Sequence, residues 1–158
     1  MDQALSLAQA LQASPFGAWA RGSSHAYPAA NLLHLLGLVM LIGPIGVLDL
    51  RLAGAWRRIP SDQLARALTP IAIVGLALLA PSGLTMFAAD AASLVRSPTF
   101  QWKLLLIVLA LANALAFRVL WGRQLRNWDL PLFGRLMAAG SIALWLIVAA
   151  LGRMIAYT

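Results

Sequence analysis

His34 stands deep inside a run of 27 residues, 22 to 48, that carries no formal charge. An imidazole in so apolar a stretch is a candidate for chemistry, because intramembrane ionisable groups are functional candidates by default. Tyr27, Asn31 and His34 recur at i, i+4 and i+7, and Ser82, Met86 and Asp90 at i, i+4 and i+8, so each set shares one helix face. By helical rise His34 lies about 9 Å from the start of its helix. Met86, Lys103, Arg153 and Met154 each fall within roughly one turn of the same end of their own helices. One end of a bundle would then gather an imidazole, two thioethers, two cations and the Asp90 carboxylate.

Two ligands suit that set. Imidazole with thioether, His34 with Met86 and Met154, suits Cu(I). The same pair is an axial set for haem b, with Lys103 or Arg153 to meet the propionates. Quinone is a third redox-related ligand, with His34, Asn31 and Tyr27 able to contact its oxygens. The only other histidine, His25, is nine residues before His34, so a facing bis-histidine pair within one chain is not expected; a homodimer would offer two copies of His34. The plain alternative is a neutral His34 hydrogen-bonded to Asn31, Tyr27, a carbonyl or water, with the methionines as packing residues. Nearer the other end, Asn113, Ser141 and Thr69 form a second polar layer, read as structural. Asp49 and Arg51 mark the exit of the first span, with Asp49 expected as an anchor or a salt-bridge partner of a loop arginine.

These residues need helices to position them. Of the 158 residues 61% are hydrophobic and only 11% charged, against about a quarter charged in a soluble domain. Four apolar stretches, about 28–50, 66–89, 100–121 and 134–157, approach the roughly 20 residues that cross a bilayer. The third is bounded by Lys103 and Arg118, whose long side chains can snorkel outward. The predicted fold is all-α: a single membrane domain, residues 1–158, built as an antiparallel bundle of four transmembrane helices. Residues 1–27 form an N-terminal interfacial segment, with short helices over about 3–11 and 14–21. Ser61 with Asp62, Ser97-Pro98 and Asp129 with Pro131 are the expected helix starts. Small residues allow close helix approach: Gly37, Gly43 and Gly46, Ala72 and Gly75, Ala110 and Ala114, Gly140 and Ala149. Pro70 and Pro81 should bend the second span, and Pro81-Ser82-Gly83 should open it locally.

Eight arginines (51, 57, 58, 66, 118, 123, 126 and 135) flank two connections on one side, against Arg21, Arg96, Lys103 and Arg153 on the other. By the positive-inside rule the first set faces the cytoplasm. The protein is then expected in a bacterial inner membrane with both termini outside. The net charge of +7 reflects these boundaries, and no basic face or nucleic-acid motif accompanies it. Trp19, Trp56, Trp102, Trp121 and Trp128 fall at span edges, as an aromatic belt would; Trp145 is the exception, with packing as its default. The absence of cysteine excludes disulfides and thiol chemistry within the chain. No HExxH, nucleophile elbow or phosphate loop occurs, and the five acidic residues form no catalytic pair. The N-terminus, with Asp2 where a positive region should be, does not read as a secretory signal.

The stretch SPFGAWARGSSHAYPAANLLHLLGLVMLIGPIGVLDLRLAG, with the later FQWKLLLIVLALANALAF, resembles an uncharacterised family of small bacterial four-helix membrane proteins, a domain of unknown function. The resemblance implies four spans and a membrane location. It assigns no activity, and directs attention to His34, Asp49, Arg51, Lys103 and Asn113. A fainter similarity is to copper-resistance membrane proteins and four-helix b-type cytochromes. The functional expectation is a non-enzymatic membrane protein or subunit binding copper, haem or quinone in its outer half. Alternatives are a small transporter or proton-linked channel, with Pro81-Ser82-Gly83 as the broken helix, and a structural partner of a larger membrane complex.

Overall fold

The computed structural model describes residues 2–122 and 130–157, without the side chain of Ala156. The fold is helical throughout these residues, with no strand among them. α1 (Asp2–Ala13) and α2 (Pro15–Gly22) precede the first long helix, α3 (Ala26–Ala53). α4 (Ser61–Ala89) returns, the short α5 (Ala91–Arg96) turns the chain, and α6 (Pro98–Trp121) and α7 (Leu132–Met154) complete the bundle. A 3-10 turn, Ile155–Tyr157, follows.

α3, α4, α6 and α7 are each long and apolar enough to cross a membrane. Lipid offers backbone groups no hydrogen bonds, so a spanning segment must satisfy its own, and a helix does so. At 1.5 Å per residue even α7 reaches about 34 Å, beyond the ~30 Å hydrocarbon layer. The side chains are distributed for lipid as well. Leu32, Val39, Val108, Leu115 and Val119 are all more than 60% exposed, while alanines make up most of the buried apolar residues. Water would penalise such a surface by roughly 25 cal/mol per Å² of apolar area; lipid does not. The chain is a multi-pass membrane protein.

Small residues set the tightest crossing. A Cβ at Gly37 would lie 2.8 Å from the Gly75 carbonyl oxygen, and one at Gly75 would lie 2.7 Å from that of Gly37. The α3 and α4 backbones therefore touch, and this pair carries the most extensive contact in the bundle. Leu41, Ala72, Ala110, Trp145 and Val148 form the core beside it. Gly43, Gly46 and Gly140 face open space, contrary to the expectation that they too permit close approach. Around the bundle the neighbours run α4, α3, α7, α6, and α6 scarcely touches α4.

Helix starts match the reading in part. The Ser14 hydroxyl accepts from Gly17 N at 3.2 Å and that of Ser97 from Phe100 N at 3.4 Å, as N-caps do. Ser61 lies inside α4, after Pro60 at the cap. Pro131, expected in the first turn of α7, sits at its cap. Asp129, with Arg123, Arg126 and Trp128, lies outside the described residues. α4 runs unbroken through Pro70 and Pro81, so the expected local opening at Pro81-Ser82-Gly83 is absent. The Ser82 hydroxyl donates to the Leu78 carbonyl at 2.6 Å and that of Thr85 to Pro81 at 2.9 Å, back-bonds within the helix that leave its course unbroken.

Two arginines fasten the other end. The Arg51 side chain, only 5% exposed, donates to the carbonyls of Ile59 at 2.6 Å and Arg57 at 3.1 Å. Arg135 donates through Nε and Nη2 to the Ala53 carbonyl at 3.1 and 3.0 Å, tying α7 to the end of α3. Gly54, at φ +124°, is needed where the chain leaves α3, and a Cβ there would lie 2.5 Å from the Arg135 guanidinium.

Candidate functional site

All four spanning helices contribute to one polar cluster at the end of the bundle that holds His34. α3 supplies His34, half-buried two turns into the helix. α4 supplies Ser82, whose Oγ lies 3.1 Å from His34 Nδ1. Gly83 stands under the ring, where a Cβ would lie 3.2 Å from His34 Cε1. α6 supplies Lys103, half-buried and near enough for its charge to be felt at the imidazole. α7 supplies Gly152, whose missing side chain makes room for the Lys103 Nζ; a Cβ there would lie 3.3 Å from it.

The imidazole has two neighbours on α4, the Ser82 hydroxyl and the Leu79 backbone. The Ser82 hydroxyl donates to the Leu78 carbonyl at 2.6 Å, and with its hydrogen there its oxygen accepts from Nδ1. The ring is thus held against α4, half-buried among apolar side chains. The nearby ammonium is a donor. Together they can give one hydrogen bond to a ligand oxygen and take one from a ligand hydroxyl.

Other candidates lie around this cluster to different degrees. Met86 is half-buried one turn beyond Ser82. Met154 is 53% exposed, and Arg153 is exposed and stacked on the Tyr157 ring, 4.9 Å from its centroid. Tyr27, Asn31 and Asp90 are exposed. His25 is exposed and bonded to Ser24 at 2.9 Å. The described residues hold no group of three or more His, Asp or Glu side chains arranged for a metal ion.

The end is roofed by the short helices. Gln12 Oε1 of α1 accepts from Ala92 N of α5 at 2.8 Å. Arg21 of α2 donates to the Ala89 carbonyl at 3.1 Å. Phe87 and Phe100 stack at 5.5 Å between centroids, joining α4 to α6 here.

Asp49 is buried in α3 at 8% exposure, with the Ser141 side chain of α7 as a hydrogen-bond partner; among the described residues it makes no salt bridge, and the loop arginines Arg123 and Arg126 lie outside them. Asn113 of α6 donates to the Met137 carbonyl of α7 at 3.1 Å, a tie between these helices made to the backbone. Sequence reasoning missed α5, the Gly83 and Gly152 contacts, and the Asp49–Ser141 pair. A glycine immediately before Arg153 was the one visible signal for Lys103's position.

No curated protein and no solved structure matches the chain, so the similarity to copper-resistance proteins and b-type cytochromes gains no support. A family model does match, from residue 17 to residue 158, and it agrees with the resemblance to an uncharacterised membrane family. The chain belongs to that family, described as a family of unknown function, DUF6644.

Proposed function

We propose that the protein is a non-enzymatic binding protein or subunit of the bacterial inner membrane that holds a quinone head-group at the His34 cluster. The observation that carries this reading is an imidazole pinned by Ser82 beside Lys103. An ammonium donates to a quinone carbonyl, and a neutral imidazole accepts from the hydroxyl of the reduced form. The surrounding apolar helices suit a ligand that arrives through lipid.

The donor set favours quinone over the other redox ligands. Copper would need Met154, which is exposed, and would meet the positive charge of Lys103. Haem b would lack a second facing histidine, since His25 is exposed at the bundle edge. The arginine-rich connections favour an orientation with the His34 end outside the cytoplasm.

The test is protein purified in mild detergent from native membranes without added ligand. Solvent extraction should yield quinone near one equivalent, falling sharply in His34→Ala and Lys103→Met. A Soret band or stoichiometric copper in place of quinone would overturn the reading, as would extracts of the variants that match the parent.

A further inference from the structure

At the arginine end the connection between α3 and α4 is a clamped turn. The Trp56 carbonyl accepts from Ile59 N at 2.9 Å. Residues 56–59 therefore form one four-residue turn, with Arg57 and Arg58 at its two central positions. Arg51 holds this turn from within. Its side chain, buried at the end of α3, donates through Nη2 to the Arg57 carbonyl at 3.1 Å and through Nε to that of Ile59 at 2.6 Å. Trp56 enters the turn at φ +43°, a left-handed conformation that a bulky residue rarely adopts.

The tip so held carries charge without counter-charge. Arg57 and Arg58 are exposed. Among the described residues their side chains meet no carboxylate and make no hydrogen bond. Arg51 and Arg135, by contrast, are committed to backbone carbonyls, and Arg66 to Asp62. Beside the tip stand two apolar side chains, Trp56 at 55% and Ile59 at 43% exposure. The turn joins the ends of two spanning helices, so these side chains stand where head-groups lie. An indole favours that depth, and a guanidinium meets phosphate oxygens with a forked pair of hydrogen bonds. An acidic protein would answer the arginines alone; a phospholipid also answers the apolar pair.

We propose that the 56–59 turn binds the head-group phosphate of an anionic phospholipid, held by Arg57 and Arg58, with Trp56 and Ile59 against its apolar part. A zwitterionic lipid brings a cation beside the same phosphate, which two arginines repel. The turn therefore selects net negative charge. The site is separate from the His34 cluster and does not depend on what that cluster binds.

The test is lipid retention by the delipidated full chain in detergent, titrated with phosphatidylglycerol or phosphatidylcholine and read by native mass spectrometry. Phosphatidylglycerol should bind roughly tenfold more tightly or better, since each basic residue near an anionic surface is worth about fivefold. Arg57→Gln/Arg58→Gln should remove most of that preference. Arg66→Gln, at the same end but paired with Asp62, should leave it intact. Trp56→Gln should weaken retention of both lipids severalfold. Should the double variant unfold below the parent's midpoint in lipid-free detergent, Arg57→Gln and Arg58→Gln replace it singly, each expected to lose severalfold. Inorganic phosphate or polyglutamate in large excess should leave the lipid bound. Equal retention of the two lipids would make the turn an unselective anchor. A preference that survives the glutamine variants, or falls equally in Arg66→Gln, would belong to the basic boundary as a whole. Undiminished retention in Trp56→Gln would remove the apolar contact. Displacement by phosphate or polyglutamate would give the turn to a free anion or an acidic protein. Each of these four results overturns the proposal.

Discussion

The two ends of the bundle solve the same packing problem in opposite ways. At the His34 end α4 and α6 are drawn together by the Phe87–Phe100 stack and by α5, and α1 and α2 roof the junction. Polar groups there pair across helices: His34 with Ser82, Gln12 with Ala92, Arg21 with Ala89. At the arginine end, Arg51 and Arg135 bind backbone carbonyls and close the ends of the helices. Among the described residues α4 and α6 nonetheless make little contact, and buried polar atoms of Asp49 on α3 and Trp145 on α7 remain unmatched. Closure in lipid therefore depends on specific devices, glycine contacts and hydrogen bonds, since apolar side chains gain little by leaving lipid for each other.

That contrast can be broken most forcefully at the α3–α4 crossing. Gly75→Leu would force a side chain into the Gly37 carbonyl, so a loss of about 3 kcal/mol or more is expected in detergent unfolding. Both ends should loosen together, because α3 and α4 run the length of the bundle. Gly43→Leu, facing open space, should stay within about 0.5 kcal/mol, and equal losses for the two would refute the assigned crossing. Next in size is Arg135→Ala, which strips the Ala53 carbonyl of a charged donor. A loss of about 2 kcal/mol is expected, with faster proteolysis of the 54–60 turn and no change in quinone content at the far end. Asn113→Ala removes one neutral tie between α6 and α7, with an expected loss on the order of 1 kcal/mol. The smallest effect belongs to Arg66→Ala. It breaks the exposed Arg66–Asp62 pair, 2.7 Å across one helical turn, and should change stability by about 0.5 kcal/mol or less.

Much of the architecture was legible in the residues. Uncharged runs gave the four spans within a few residues, and Ser14 and Ser97 announced their helices because a hydroxyl before a proline has one economical use there. Pairing of Gly37 with Gly75 was not legible: five of the glycines in the spans were read alike as contact points, and only helix order decides which meet. Pro81 misled, because a missing N–H removes one bond without requiring the helix to open. His34 was found by charge starvation alone, while its partner Ser82 needed the register between α3 and α4. The Asp49–Ser141 pair was hidden for the same reason. Asp49's neighbour Arg51 suggested the surface, but α3 continues to Ala53 and carries both side chains inward.

The roof over the His34 end also sets a timetable for biogenesis. Gln12 is bonded to an amide 80 residues later, and Arg21 to a carbonyl 68 residues later. At 5–20 residues per second, translation needs roughly 4–16 s to reach Ala92 after Gln12 is made. During that interval Gln12 and Arg21 lack their partners in the finished roof, which can close only after α3 and α4 have been made.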